Sequence, residues 1–123
     1  MKILVVDDSR TVHSFIKIIL QSGFVDVQIS SVFNGEEALQ KLNELGKNFF
    51  DVILIDWEMP IMDGPTTVQQ FVENGVKTPV IMITSKAMNH HEDKMLKSGV
   101  TSFIRKPFHE TDLVDYIKSI TNQ

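Results

Sequence analysis

The sequence predicts an α/β fold: a doubly wound (βα)5 three-layer sandwich, with five parallel strands in one sheet and helices on both faces. Three observations predict it. Residues 3–6, 52–55 and 80–83 are uninterrupted apolar runs bounded by polar or turn residues, the pattern of strands buried on both faces. The stretches between strands carry apolar residues at helical spacing. Strand and helix signals alternate with short connections, which parallel pairing through crossover helices requires.

The elements follow in order. The first strand, 3–6, leads into Asp7-Asp8-Ser9, where Ser9 is a good N-cap. Val12, Phe15, Ile16 and Ile19 then predict a helix over 10–21, ending near Gly23. Val25, Val27 and Ile29 alternate with polar residues, which predicts a one-face strand at a sheet edge. Asn34 and Glu37 have capping-box spacing and open a helix carrying Ala38, Leu39, Leu42 and Leu45, closed by Gly46. The third strand, 52–55, runs into Asp56. Asp63-Gly64-Pro65 then starts a helix with Val68, Phe71 and Val72 facing inward. Pro79 precedes the fourth strand, which ends on Thr84 and Ser85. A fourth helix is predicted over 88–98, a more polar fifth strand over 100–105, and a last helix through Leu113, Val114, Ile117 and Ile120. The apolar strands one, three and four belong at the centre and the mixed strands two and five at the edges. This fits the order 2-1-3-4-5, which is taken from known doubly wound folds.

Composition narrows the function classes. The 123 residues suit one domain with a proper core, and nothing in 1–123 suggests a linker, a repeat or a second domain. A net charge of -4 argues against direct nucleic-acid binding. The absence of cysteine excludes disulfides, thiolate metal sites and thiol nucleophiles. No apolar run approaches the length of a membrane span or a signal-peptide core, so a cytoplasmic location is expected.

The predicted topology collects chemistry at one sheet edge. Strand one delivers Asp7 and Asp8, strand three Asp56, strand four Thr84 and strand five Lys106. In open α/β sheets ligands bind outside the carboxyl ends of the strands. Crowded carboxylates raise one another's pKa unless a cation sits between them. Oxygen-only ligands suit a hard ion such as Mg2+. A lysine and a hydroxyl opposite suit a phosphoryl group, with Asp56 as its nucleophile and an acyl phosphate as the product.

Taken together, Asp7-Asp8-Ser9, Asp56-Trp57-Glu58-Met59-Pro60, Asp63-Gly64, Thr84-Ser85 and Lys106-Pro107-Phe108 resemble the receiver domains of two-component response regulators. The resemblance covers the whole chain, its fold is flavodoxin-like, and it is nearest to the stand-alone, CheY-like chemotaxis kind. It implies that Asp56 is the phosphoacceptor, served by a histidine kinase as phosphodonor. It further implies that Asp7, Asp8, Asp56 and the backbone carbonyl of Glu58 hold Mg2+. Lys106 is then the phosphoryl-binding lysine with a cis bond to Pro107, and Thr84 and Phe103 form a coupled switch pair. The output surface is the face of the fourth helix, fifth strand and fifth helix, its partner a flagellar motor switch component or a phosphotransfer protein, and the chain a monomer. Phe103 departs from the tyrosine of CheY and loses a hydroxyl. Glu58 and Lys86 occupy the positions that tune phosphoryl lifetime in the family, and are expected to pair across the pocket mouth.

Other readings compete. A phosphorelay intermediate receiver shares every motif. A haloacid dehalogenase-type phosphatase also uses a strand-end aspartate, but on its first strand, followed by a second aspartate, and with a cap domain for which 123 residues leave no room. A flavodoxin-like FMN carrier would need hydroxyls and amides where Asp7-Asp8 stand. Asp7 and Asp8 could serve only as helix-start acids, Thr84 and Ser85 only as caps, and Phe103 only as edge-strand packing. Trp57 reads as a surface or packing aromatic. His90 and His91 point about 100° apart on a helix and read as solvated, with Glu92, Asp93, Lys94 and Lys97 as a wet face. His13 and His109 stand alone.

Overall fold

In the computed structural model, which describes residues 1–85, 99 and 102–122, the sheet has five strands in the order β2-β1-β3-β4-β5. They are β1 (Lys2–Val6), β2 (Gln28–Val32), β3 (Val52–Asp56), β4 (Val80–Thr84) and β5 (Ser102–Arg105), and every pair is parallel. The described helices are α1 (Arg10–Gly23), α2 (Gly35–Leu45), α3 (Gly64–Glu73) and α4 (Glu110–Thr121). Here α4 is the last of the five helices expected; the one expected over 88–98 lies outside the described residues.

The two-residue period of the strands divides the core. Leu4, Val6, Ile53, Ile55, Val80 and Met82 pack with Ala38, Leu42, Val68 and Phe71 under α2 and α3. Ile3, Val5, Val52, Leu54, Ile81 and Ile83 pack with Ile16, Ile19, Leu20, Leu113 and Ile117 under α1 and α4. Central strands have to be apolar on both faces in such a sandwich, which is why their runs have no polar alternation.

Capping side chains set the helix starts. Ser9 Oγ accepts from Val12 N–H at 3.2 Å, Asn34 Oδ1 from Glu37 N–H at 2.9 Å and Asp63 Oδ1 from Thr66 N–H at 2.8 Å. The return arm from Glu37 reaches Phe33 N–H at 3.2 Å. Gly46, at φ 116°, ends α2 in a backbone conformation that L side chains resist.

Several expectations are corrected. The alternation at 25–30 starts too early: 25–27 lead up to the edge strand and 28–30 begin it. Val25 is 88% exposed and Asp26 turns through φ 58°, after which Gln28–Val32 pairs in register with Lys2–Val6. Phe15 and Val72 point outward because Ile16 and Phe71, each one residue and about 100° away, take the buried slots. Leu45 lies in the last turn of α2 and is also exposed. Trp57, read as a surface or packing aromatic, is the latter and belongs to the core on the α2/α3 side. His13 is buried.

Candidate functional site

The carboxyl ends of β1, β3, β4 and β5 bring the expected residues to one edge. Each of Asp7, Asp8 and Asp56 offers a carboxylate oxygen within 4.8 Å of the others. Lys106 extends from the loop after β5, and its Nζ lies 3.6 Å from Asp56 Oδ1, at ion-pair rather than hydrogen-bond distance. Asp7 and Thr84 are buried, Asp56 is half-buried and Asp8 is exposed. Thr84 ends β4 beside Asp56, and its carbonyl accepts from Lys106 N–H at 2.7 Å, which holds the lysine loop against the strand. The Lys106–Pro107 bond is cis, as expected.

The Asp56 side is a closed loop. Trp57 N–H donates to Ile83 O at 3.2 Å and Gly64 N–H to Trp57 O at 2.8 Å, so 57–64 leaves and re-enters beside Asp56. A Cβ on Gly64 would stand 2.5 Å from Asp56 O and 3.0 Å from Trp57 Cα. Only glycine lets α3 start this close to the β3 terminus. Glu58 is exposed on this loop. Lys86, and with it the expected Glu58–Lys86 pair, lies outside the described residues, as do His90, His91, Glu92, Asp93, Lys94 and Lys97. Phe103 is half-buried, pairs across from Met82 and packs against the core on the α2/α3 side.

Charge crowding shows in the acid groups. Burial, then the neighbouring Asp7 charge, pushes the Asp56 carboxyl up to about 6 from its ordinary 3.8, against the opposing pull of Lys106. Burial also raises Asp7, while the Ser9 N–H and Lys106 pull it down. Such a site favours a cation. Oxygens about 2.1 Å from one Mg2+ lie about 3.0–4.2 Å apart, so carboxylate oxygens within 4.8 Å of one another are near enough to share one ion, directly or through its waters. The donor set, three carboxylates with no sulfur or imidazole, fits this hard ion.

One residue of the site escaped the sequence. His13 Nε2 lies 2.7 Å from Asp7 O and 3.0 Å from Val32 O. The signal was its place three residues before Ile16 and seven before Leu20, on the buried stripe of α1.

Residues 3–118 match the response regulator receiver domain family. The chain belongs to that family. The receiver domain is 36% identical over 108 residues to a protein-glutamate methylesterase/protein-glutamine glutaminase of Syntrophomonas wolfei, covering 86% of this chain and 30% of that protein. It thus spans less than a third of that relative's length. Among solved structures it is similar to the Francisella response regulator 1452 receiver domain, with TM-score 0.87, 30% identity and coverage of 98% and 96% of the two chains. It is also similar to the Vibrio cholerae chemotaxis protein CheY4, with TM-score 0.86, 27% identity and 97% of each chain covered. Among the described residues no helix is long and apolar enough to cross a membrane.

Proposed function

We propose that residues 1–123 act as one receiver unit that accepts a phosphoryl group on Asp56 from the phosphohistidine of a histidine kinase and thereby changes its affinity for a protein partner. The observation that carries this reading is the Asp7-Asp8-Asp56 cluster with the Lys106 ammonium 3.6 Å from Asp56. A carboxylate oxygen of Asp56 attacks phosphorus as the bond to the donor nitrogen breaks, and the electron pair leaves with the imidazole. Asp7, Asp8, Asp56 and the Glu58 carbonyl would hold Mg2+, which supplies positive charge facing the phosphoryl oxygens. Lys106 draws a second oxygen and Thr84 donates its hydroxyl to a third. Burial of Asp7 and Thr84 keeps this charge pairing in a less screened environment than the surface offers.

The readout is Thr84 moving toward the phosphoryl group with Phe103 turning inward, a two-state element biased by the new charge. The signal leaves by the surface of β5 and α4 together with the segment between β4 and β5. The likeness to CheY4 supports a chemotaxis output, with a flagellar motor switch component or a phosphotransfer protein as partner. Glu58 and Lys86 set the phosphoryl lifetime by hindering the hydrolytic water, so replacing either by alanine changes the dephosphorylation rate. The deciding test is a small phosphodonor with Mg2+ followed by intact mass. One phosphoryl adduct is expected on the parent and none on Asp56→Asn. An adduct that survives that substitution overturns the assignment.

A further inference from the structure

We infer that His13 is a positioning residue that aims the metal-binding carboxylate of Asp7 through Asp7's own backbone, an inference resting on the reading of Asp7, Asp8 and Asp56 as the Mg2+ site. His13 is 8% exposed and sits on the buried stripe of α1 with Ile16 and Leu20. An aliphatic side chain would fill this slot without the desolvation cost of an imidazole, so the ring has to be offset by its bonds. Its Nε2 faces two carbonyl oxygens, Asp7 O at 2.7 Å and Val32 O at 3.0 Å. Both are acceptors only, so Nε2 carries the hydrogen and donates to both. Among the described residues Nδ1 has no partner, so Nε2 alone orients the ring by hydrogen bonding. Phe33, 4.8 Å away between centroids, closes against it.

The effect on Asp7 is specific. Asp7 N–H donates to Val32 O at 3.2 Å, and Asp7 Oδ1 accepts from Ser9 N–H at 2.9 Å. The His13 bond adds the Asp7 carbonyl, which has already left the strand ladder where the chain turns into α1. Amide, carbonyl and one carboxylate oxygen are then all held, and the second carboxylate oxygen is left for an ion. Without the imidazole N–H, the peptide joining Asp7 and Asp8 loses the bond that fixes its carbonyl, and the aim of both carboxylates loosens with it. Partners that orient metal ligands are worth about 10–100-fold in metal affinity, and a link through backbone belongs at the low end.

The test is Mg2+ titration by calorimetry and by Trp57 fluorescence, with thermal unfolding measured alongside. His13→Phe keeps a ring against Phe33 and removes the donor; Mg2+ binding about tenfold weaker is expected. His13→Gln restores an N–H donor, and binding within about threefold of the parent is expected, which is a rescue that space-filling alone does not predict. Ile117→Val, destabilised in the core remote from the acids, is expected to bind Mg2+ like the parent. If His13→Phe does not fold, His13→Leu against His13→Gln makes the same comparison. Equal affinity in the parent and the donor-less variant, or no rescue by glutamine, overturns the inference. The acceptor reading fails separately: a parent that binds Mg2+ but takes no phosphoryl group refutes that reading and leaves the His13 comparison intact.

Discussion

At the scale of one residue, Asp56 carries an energetic conflict. Its carboxyl is pressed up to about 6 by burial and by Asp7 and Asp8, and among the described residues Lys106 and the Trp57 amide pull it back. Asp56→Asn therefore removes an unfavourable charge while keeping the shape. In metal-free buffer its Tm is expected to rise by about 3–5 °C, equivalent to roughly 1 kcal/mol in a domain of this size, as the proposed acceptor chemistry is lost. A Tm at or below that of the parent would show that charge crowding is not felt there. Lys106→Ala should do the reverse, lowering metal-free stability, because the cation that draws both Asp7 and Asp56 down is gone. Gly64 carries a different constraint. An added methyl would meet Asp56 O at 2.5 Å and Met82 Sδ at 2.9 Å. Gly64→Ala is expected to cost about 1–3 kcal/mol, seen as a lower urea midpoint with an unchanged slope.

At the scale of elements, starts were more legible than extents. Ser9, Asn34 and Asp63 each announce a helix because a short polar side chain before an apolar-periodic run has one favourable use, the orphan amides of the first turn. Asn34→Ala is accordingly expected to cost about 1 kcal/mol in chemical unfolding, a loss that Asn34→Asp should largely avoid. The edge strand was less legible. Val25, Val27 and Ile29 alternate, but alternation is blind to where pairing begins. The backbone turn at Asp26 and the match of Gln28–Val32 to Lys2–Val6 decide that, and both are tertiary. The acids were readable because strict βα alternation sends every strand end to one edge, whatever the distances. The distances themselves, such as the 3.6 Å from Lys106 to Asp56, depend on sheet twist and loop path and leave no mark in the sequence. His13 was only half readable: its place on the apolar stripe of α1 signals burial, but nothing in the sequence names the carbonyls it meets.

For the molecule as a whole, the raised carboxyls make stability depend on pH and metal in opposite senses. The folded-state carboxyls of Asp7 and Asp56 both lie above their ordinary value of 3.8, Asp56 at about 6. The fold therefore binds protons more tightly than the unfolded chain does, and protons stabilise it. This contribution is complete below about pH 4 and is lost as pH rises through about 6. Metal-free protein is expected to gain stability as pH falls from about 7 to about 5, and the approach of the net charge of -4 toward neutrality acts in the same direction. At the proposed site Mg2+ would bind the deprotonated acids, so its increment runs the other way. It should be largest above about pH 7, near 1.4 kcal/mol at ten times the dissociation constant, and clearly smaller at about pH 5. Thermal unfolding in chelator and in millimolar Mg2+ across this range measures both. The two curves should converge on acidification, and the metal-free curve should flatten in Asp56→Asn. A metal-free protein that loses stability between about pH 7 and about pH 5.5, or a Mg2+ increment independent of pH, would mean that Asp7 and Asp56 are not the acids that sense the ion.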